Sequence, residues 1–171
     1  VSQRPAGCSN LFVDQPTIRA ALLYDRLAGE SRFSPVVREY VDYYVDHFRD
    51  EETGLLEWGV HTSYNVYEED FAAADGRLHE VQAILPLWQD LHAMRPEFFQ
   101  SYLAQFWNLH TDHDTGQVDR HHNTGGHGLG FAMTAGELVL ACGFLHTLEP
   151  GQPWIERGLK IAHAHWDARN P

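Results

Sequence analysis

The chain has 171 residues, of which 43% are apolar and 12% aromatic, and its formal charge is −12 at neutral pH. This composition is that of a globular protein with a sizeable core, and it excludes a disordered chain. The acidic balance and the single lysine, Lys160, exclude a general binder of nucleic acid or of anionic membrane surfaces. No apolar run approaches the roughly 18 residues of a membrane span, and two cysteines make no disulfide framework.

Six segments show the 3.6-residue apolar periodicity of amphipathic helices. The second is the clearest, because Val37, Val41, Tyr44 and Val45 belong to one apolar stripe behind a Ser-Pro start. In chain order we predict helices over residues 16–29, 34–49, 78–94, 96–110, 131–148 and 153–168. Strand signal is confined to short stretches near residues 55–58 and 63–67.

An Asp-x-x-Thr-Gly element occurs twice, first from Asp50 to Gly54 and again from Asp112 to Gly116. Each copy closes a helix pair of roughly 60 residues, so the chain has an internal repeat. A histidine-bearing loop follows each copy. We expect each glycine to take the left-handed conformation that ends the outgoing helix.

Stacked helix pairs form either an open solenoid or a closed toroid. The repeat is too long for tetratricopeptide or HEAT units, and polar loops at one end of every pair favour a toroid with a central cleft. We therefore predict an all-α fold, an α/α toroid of helical hairpins with short β segments in the loops. Residues 1–171 would form a single domain of three hairpins. Three hairpins are about half of an (α/α)6–7 barrel, so we expect a fragment of the ring.

The candidate site residues are histidines, a glutamate and an arginine in the loops at one end of the pairs. His61 follows the first Thr-Gly turn, Glu80 opens the third predicted helix, and Arg120, His121 and His122 follow the second turn. Imidazole and carboxylate are the ligand types of Zn, Mn, Co and Ni, and an adjacent arginine could clamp an anionic sugar. The residues alone leave open which of the two neighbouring histidines faces the cleft, and whether Glu80 only stabilises a helix N-terminus.

Further side chains are candidates for sugar contacts. Trp58, Tyr64 and Tyr67 lie in the first histidine-bearing loop, where an apolar sugar face could stack on them. His127 is flanked by glycines, whose backbone permits close approach to a ligand. The other tryptophans fall on helical stripes and are assigned to the core, and the remaining histidines, including His110, receive no role.

The stretches "TGLLEWGVH", "LHEVQ" and "TGQVDRHH" resemble the metal and catalytic motifs of family 2 pectate lyases, which are α/α-barrel polygalacturonate lyases. The resemblance covers about residues 50–128. It implies a divalent metal, Mn, Ni, Co or Zn, held by His61, Glu80 and His121, with Arg120 as the Brønsted base. The double histidine and the glycine-rich "NTGGHGLG" depart from the family pattern.

The leading interpretation is therefore a metal-dependent lyase that cleaves a uronate-containing polysaccharide or oligosaccharide, such as pectate, by β-elimination. The proton on C5 becomes removable when the neighbouring carboxylate is neutralised, which a divalent metal can do. An arginine keeps its proton up to about pH 12, so a carboxylate clamp is the other role open to Arg120.

Other activities on the same toroid stay open. A sugar epimerase would use paired histidines as acid and base, and an unsaturated glucuronyl hydrolase would need a carboxyl group such as that of Asp119. A non-catalytic carbohydrate-binding relative is the third alternative. The sequence leaves the compartment open, and a bacterial periplasmic or secreted location is compatible with it.

Overall fold

The computed structural model describes residues 8–9, 11–56, 63–71, 87–119 and 132–169. Within these ranges the chain forms six helices and a small three-stranded sheet. The helices are α1 (Leu11–Ala28), α2 (Ser34–His47), α3 (Trp88–Met94), α4 (Pro96–His110), α5 (Ala132–Leu148) and α6 (Trp154–Asp167). The strands are β1 (Cys8–Ser9), β2 (Tyr64–Asn65) and β3 (Asp70–Phe71). The predicted all-α class with short β segments is confirmed.

One difference from the predicted boundaries is at α1, which begins at Leu11 and contains Pro16. We placed its start at the proline, because proline is favoured in the first helical position. The structure extends the helix backwards because Leu11 is fully buried and continues the apolar stripe of Ile18 and Leu22. Burial of that stripe thus outweighs the backbone hydrogen bond that the proline lacks. We predicted the third helix over residues 78–94, but Leu87 is not helical and α3 begins at Trp88. Residues 78–86 of that prediction lie outside the described residues.

Helices that follow one another in the chain pack side by side. The pairs α1–α2, α3–α4 and α5–α6 are in contact, and contacts of α2 with α3 and of α4 with α5 join the pairs in sequence. Their buried side chains form one hydrophobic cluster. This is the stacking of helical hairpins that a toroid-like fold requires. The assignment of residues 1–171 to one domain stays a prediction.

The junction between α1 and α2 is closed by a buried carboxylate. Asp25 accepts hydrogen bonds from the backbone N–H of Phe33 (2.9 Å to Oδ2), and from the backbone N–H (2.7 Å) and the hydroxyl (2.6 Å) of Ser34. These donors lie at the start of α2, where backbone N–H groups have no partner within the helix. The carboxylate of one helix therefore caps the next.

The small sheet is antiparallel, in the order β1-β2-β3. Cys8 pairs with Asn65, and Asn65 pairs with Asp70 across a turn that includes Glu69 with φ +51°. The ring of Tyr64 stacks on Phe48, just beyond the end of α2, at a centroid distance of 3.9 Å. The sheet is thereby attached to the helical core.

No helix in the described ranges has the length and apolarity needed to cross a membrane.

Candidate functional site

Two turns of the same construction follow α2 and α4, and each leads into a loop with predicted site residues. An antiparallel β-bridge closes the first turn between Arg49 and Leu56. Another closes the second turn between Thr111 and Val118. The sequence repeat is therefore also a structural repeat, because both copies occupy the same position after an outgoing helix.

In the first turn, Asp50 makes hydrogen bonds at both ends of the loop. Its N–H donates to the carbonyl of Leu55 at 2.9 Å, and its own carbonyl accepts the N–H of Gly54 at 2.9 Å. Its side-chain Oδ1 accepts the N–H of Thr53 at 2.7 Å and the Thr53 hydroxyl at 2.8 Å. Aspartate and threonine thus hold a turn in which Gly54 has φ +72°.

The second turn repeats this pattern around Asp112. Its N–H donates to the carbonyl of Gln117 and its carbonyl accepts the N–H of Gly116, both at 2.8 Å. Its Oδ1 accepts the N–H of Thr115 at 2.8 Å, and Gly116 has φ +76°. The left-handed glycines were predicted correctly. Their place was predicted wrongly, because they lie in a hairpin loop beyond the helix ends at His47 and His110 and do not cap the helices.

The second turn is also attached to α6. Lys160 donates from Nζ to the carbonyl of His113 at 2.8 Å. A Cβ atom built on Gly116 would lie 2.6 Å from the carbonyl oxygen of Lys160. The imidazole of His113 stacks on Trp107 at a centroid distance of 4.8 Å and contacts the Trp107 carbonyl through Nε2 at 3.0 Å. The turn is therefore packed tightly between α4 and α6.

The two turns define the starting points of the predicted site loops. Leu56 directly precedes residues 57–62, and Asp119 directly precedes residues 120–131. Most of the predicted site residues lie in these segments or in residues 72–86, outside the described residues. They are the metal ligands His61, Glu80 and His121, the base Arg120, and the sugar contacts Trp58, His122 and His127.

Of the predicted sugar contacts, Tyr64 and Tyr67 lie within the described ranges, and Tyr64 is the buried one. Its side chain is 4% exposed and its ring is stacked on Phe48. Burial raises the pKa of its hydroxyl, and the charges of Glu69 and Asp70 contribute in the same direction. Its predicted role as a sugar platform stays a prediction, although Phe48 already occupies one contact surface of the ring. Tyr67 in the neighbouring turn is 81% exposed.

Among the described residues, no group of three or more histidine, cysteine, aspartate or glutamate side chains is placed to hold a metal ion. The described residues line a cavity of about 900 Å³ between α2 and the start of α4. Its charged groups include Arg95, whose guanidinium pairs with Asp42 at 3.1 Å and Asp46 at 2.9 Å.

Two buried titratable side chains, His110 and Glu137, received no role in the sequence-based prediction. His110 is fully buried and contacts Asp119 through Nδ1. Glu137 in α5 is 9% exposed, its Oε2 has no hydrogen-bond partner among the described residues, and burial raises its pKa to about 7. A signal for His110 was present, because aligning the two Asp-x-x-Thr-Gly elements places it opposite Phe48. A signal for Glu137 was its lone charge in an apolar helix.

The fold and the turns define an all-α protein of stacked helical hairpins, whose repeated turns precede histidine-bearing stretches of the sequence. Comparison with known proteins agrees with this class. The model of the family described as periplasmic pectate lyase matches residues 2–165, and the chain belongs to that family. The pectate disaccharide-lyase of Dickeya dadantii (strain 3937) is 27% identical over 112 residues. The match covers 63% of this chain and 20% of that relative's length.

Proposed function

We propose that this chain carries the metal-binding and base-bearing loops of a pectate-type lyase, which cleaves a uronate polymer by β-elimination. The observation that carries the proposal is the repeated turn. The same hydrogen-bonded hairpin directly precedes the loop of His61 and the loop of Arg120 and His121. Membership of the periplasmic pectate lyase family supports the choice of reaction over epimerase or hydrolase chemistry.

We further propose that His61, Glu80 and His121 are the ligands of a divalent metal, Mn, Ni, Co or Zn. Two imidazoles and one carboxylate are a donor set that these ions accept, and such a set leaves coordination positions open. When bound, the ion would supply charge neutralisation at the substrate carboxylate.

In the proposed reaction, a neutral guanidine nitrogen of Arg120 accepts the proton from C5 of the uronate. The electron pair of the C5–H bond forms the C4–C5 double bond, and the bond from C4 to the glycosidic oxygen breaks. The leaving oxygen takes a proton from solvent. A cationic environment lowers the pKa of a guanidinium, which favours the neutral base that this step needs.

We propose contacts with the sugar for Trp58, Tyr64, His122 and His127. An indole or phenol ring can stack on the apolar face of a sugar, and an imidazole can hydrogen-bond to a hydroxyl or to a carboxylate. The proposed substrate is thus an acidic polysaccharide or oligosaccharide. The description of the family as periplasmic supports a periplasmic or secreted location.

The proposal is tested with the purified chain, polygalacturonate and Mn²⁺. We expect an unsaturated product that absorbs in the near ultraviolet, and we expect formation of this product to stop when the metal is removed by a chelator. Arg120→Ala should abolish the product while Mn²⁺ binding, measured by electron paramagnetic resonance, persists. His61→Ala should weaken Mn²⁺ binding itself.

Matched controls are Arg169→Ala and His163→Ala, two exposed side chains of the α6 region. Both variants should bind Mn²⁺ and form product at the wild-type rate. Product formation by Arg120→Ala at the wild-type rate would contradict the base assignment. Formation of an epimerised sugar without new near-ultraviolet absorbance would favour the epimerase alternative over the lyase.

A further inference from the structure

His110 makes two reciprocal hydrogen bonds with Asp119, the residue directly before Arg120. The carbonyl of His110 accepts the N–H of Asp119 at 2.8 Å, and Nδ1 of the imidazole lies 2.9 Å from the carbonyl oxygen of Asp119. A carbonyl oxygen can only accept, so the proton of this bond lies on Nδ1. One residue therefore holds both backbone polar groups of Asp119.

The side-chain bond distinguishes the second turn from the first. In the alignment of the two Asp-x-x-Thr-Gly elements, the position of His110 is occupied in the first turn by Phe48. Phe48 is also buried, with 1% exposure, and has no polar group. The repeat can therefore fill this position with an apolar ring, and packing alone does not require the imidazole.

The bond acts on the peptide unit that leads into Arg120. The carbonyl of Asp119 and the N–H of Arg120 belong to the same planar peptide group. A hydrogen bond to that carbonyl restricts rotation of the whole plane at the point where the chain leaves Asp119. Because His110 is fully buried at the end of α4, the imidazole is itself held by the core.

We infer that His110 is a positioning residue, which orients the Asp119–Arg120 peptide and thereby Arg120 and His121. The inference rests on the proposed function, because it gives these two residues their roles. A misplacement of a reacting group by about 1 Å can cost on the order of a hundredfold in rate. Groups that orient metal ligands from outside typically change metal affinity or activity about 10- to 100-fold.

The test compares His110→Phe with His110→Asn. Phenylalanine is the residue that the first turn uses, and it removes the side-chain bond while the position stays filled. Asparagine keeps a donor, because its Nδ2 is bonded to Cγ as Nδ1 is in histidine. On polygalacturonate with Mn²⁺, we expect kcat of His110→Phe to fall about 10- to 100-fold. His110→Asn should recover most of this loss, and KM should change little in either variant.

The control for a general loss of stability is Val41→Ala, in the fully buried core of α2. It should lower the melting temperature and leave kcat unchanged at temperatures where the chain is folded.

If His110→Phe does not fold, His110→Gln replaces it, because glutamine places its amide nitrogen one bond farther from the backbone. Nitrogen NMR of wild type should show His110 protonated at Nδ1, and amide exchange at Asp119 should accelerate in His110→Phe.

The outcomes separate this inference from the proposed function. The inference alone is overturned if the wild type is active and folded His110→Phe has a kcat within twofold of the wild-type value. An equal loss of kcat in His110→Asn and His110→Phe also overturns the inference, because keeping a hydrogen-bond donor would then restore no activity. A wild-type chain that neither binds Mn²⁺ nor forms product overturns the proposed function and, with it, the positioning role.

Discussion

At the scale of single residues, Asp25 links the start of α2 to α1. Burial alone would raise the pKa of Asp25, but hydrogen bonds from the Ser34 side chain and from the backbone of Ser34, Phe33 and Arg32 hold it below 3.8. The folded state therefore favours the charged carboxylate. This contribution to stability is present above the pKa of the unfolded chain and is lost as the pH falls through the lower folded value.

We predict that Asp25→Asn lowers the melting temperature at pH 7 and flattens its decline below about pH 4. The amide offers one acceptor oxygen and turns its NH2 group toward backbone donors. Ser34→Ala should have a smaller effect, since the backbone hydrogen bonds to Asp25 remain. Asp114→Asn, at an exposed position, is the control for loss of charge. Thermal melts between pH 2.5 and 7 measure the effect, and an unchanged acid decline in Asp25→Asn contradicts it.

Glu137 shows the opposite case of a buried carboxyl group without a partner among the described residues. Burial raises its pKa from 4.5 to about 7, so the folded chain binds a proton that the unfolded chain releases between these values. Stability then falls as the pH rises through this window, because the unfolded state binds fewer protons. Ionising the buried group at pH 8 should therefore cost on the order of 3 kcal/mol.

We predict that Glu137→Gln melts at a higher temperature than wild type at pH 8 and at nearly the same temperature at pH 5. Glutamine keeps the shape of the side chain and cannot ionise. Glu156→Gln, in the exposed first turn of α6, should show no such pH-dependent gain. A lower melting temperature of Glu137→Gln at pH 8 would show that the carboxylate meets a donor or a cation in the folded chain.

At the scale of the elements, the two left-handed glycines form a natural comparison. A Cβ atom on Gly54 would meet nothing closer than the Arg49 side chain at 3.5 Å, whereas one on Gly116 would meet Lys160 at 2.6 Å. Alanine in the left-handed conformation costs about 1–2 kcal/mol at either position. At Gly116, overpacking against α6 should add a further 1–3 kcal/mol or so.

We predict that Gly116→Ala is the more destabilising variant and that Gly54→Ala loses only the strain energy. Urea unfolding of both variants measures the free energies directly. Because the second turn precedes Arg120, Gly116→Ala should also lower kcat on polygalacturonate. Equal free energies of unfolding for the two variants would mean that the second turn relaxes away from α6 at no cost.

The elements were the part of the fold that the sequence predicted best. The ends of α4 matched at both residues, because Pro96 starts the helix and a polar turn follows His110. The start of α1 was missed, since burial of Leu11 is a tertiary effect that no local rule for proline contains. The Asp-x-x-Thr-Gly element predicted a left-handed glycine, but its place in a hairpin depends on the Thr111–Val118 bridge.

At the scale of the whole molecule, the repeat of helix pairs predicted the stacked all-α architecture, and the loop motifs predicted the family. The chemistry of the site was harder to predict from the sequence than the fold was. The contact of His110 with the carbonyl of Asp119, the residue before Arg120, forms only in the folded backbone. Spacing along a sequence contains no such information. The match to the Dickeya relative also covers only 20% of that relative's length.

Lys160 is the one lysine of the sequence, so a protease that cleaves only after lysine has a single target bond in the chain. That bond lies in the middle of α6, where the Lys160 ammonium group contacts the second turn. Proteases need an extended substrate, so cleavage requires local opening of α6. When reclosing is faster than cutting, the cleavage rate reports the equilibrium population of the open form. Gly116→Ala should accelerate cleavage and Gly54→Ala should not. The cleavage rate at this single bond would then report how often α6 opens locally.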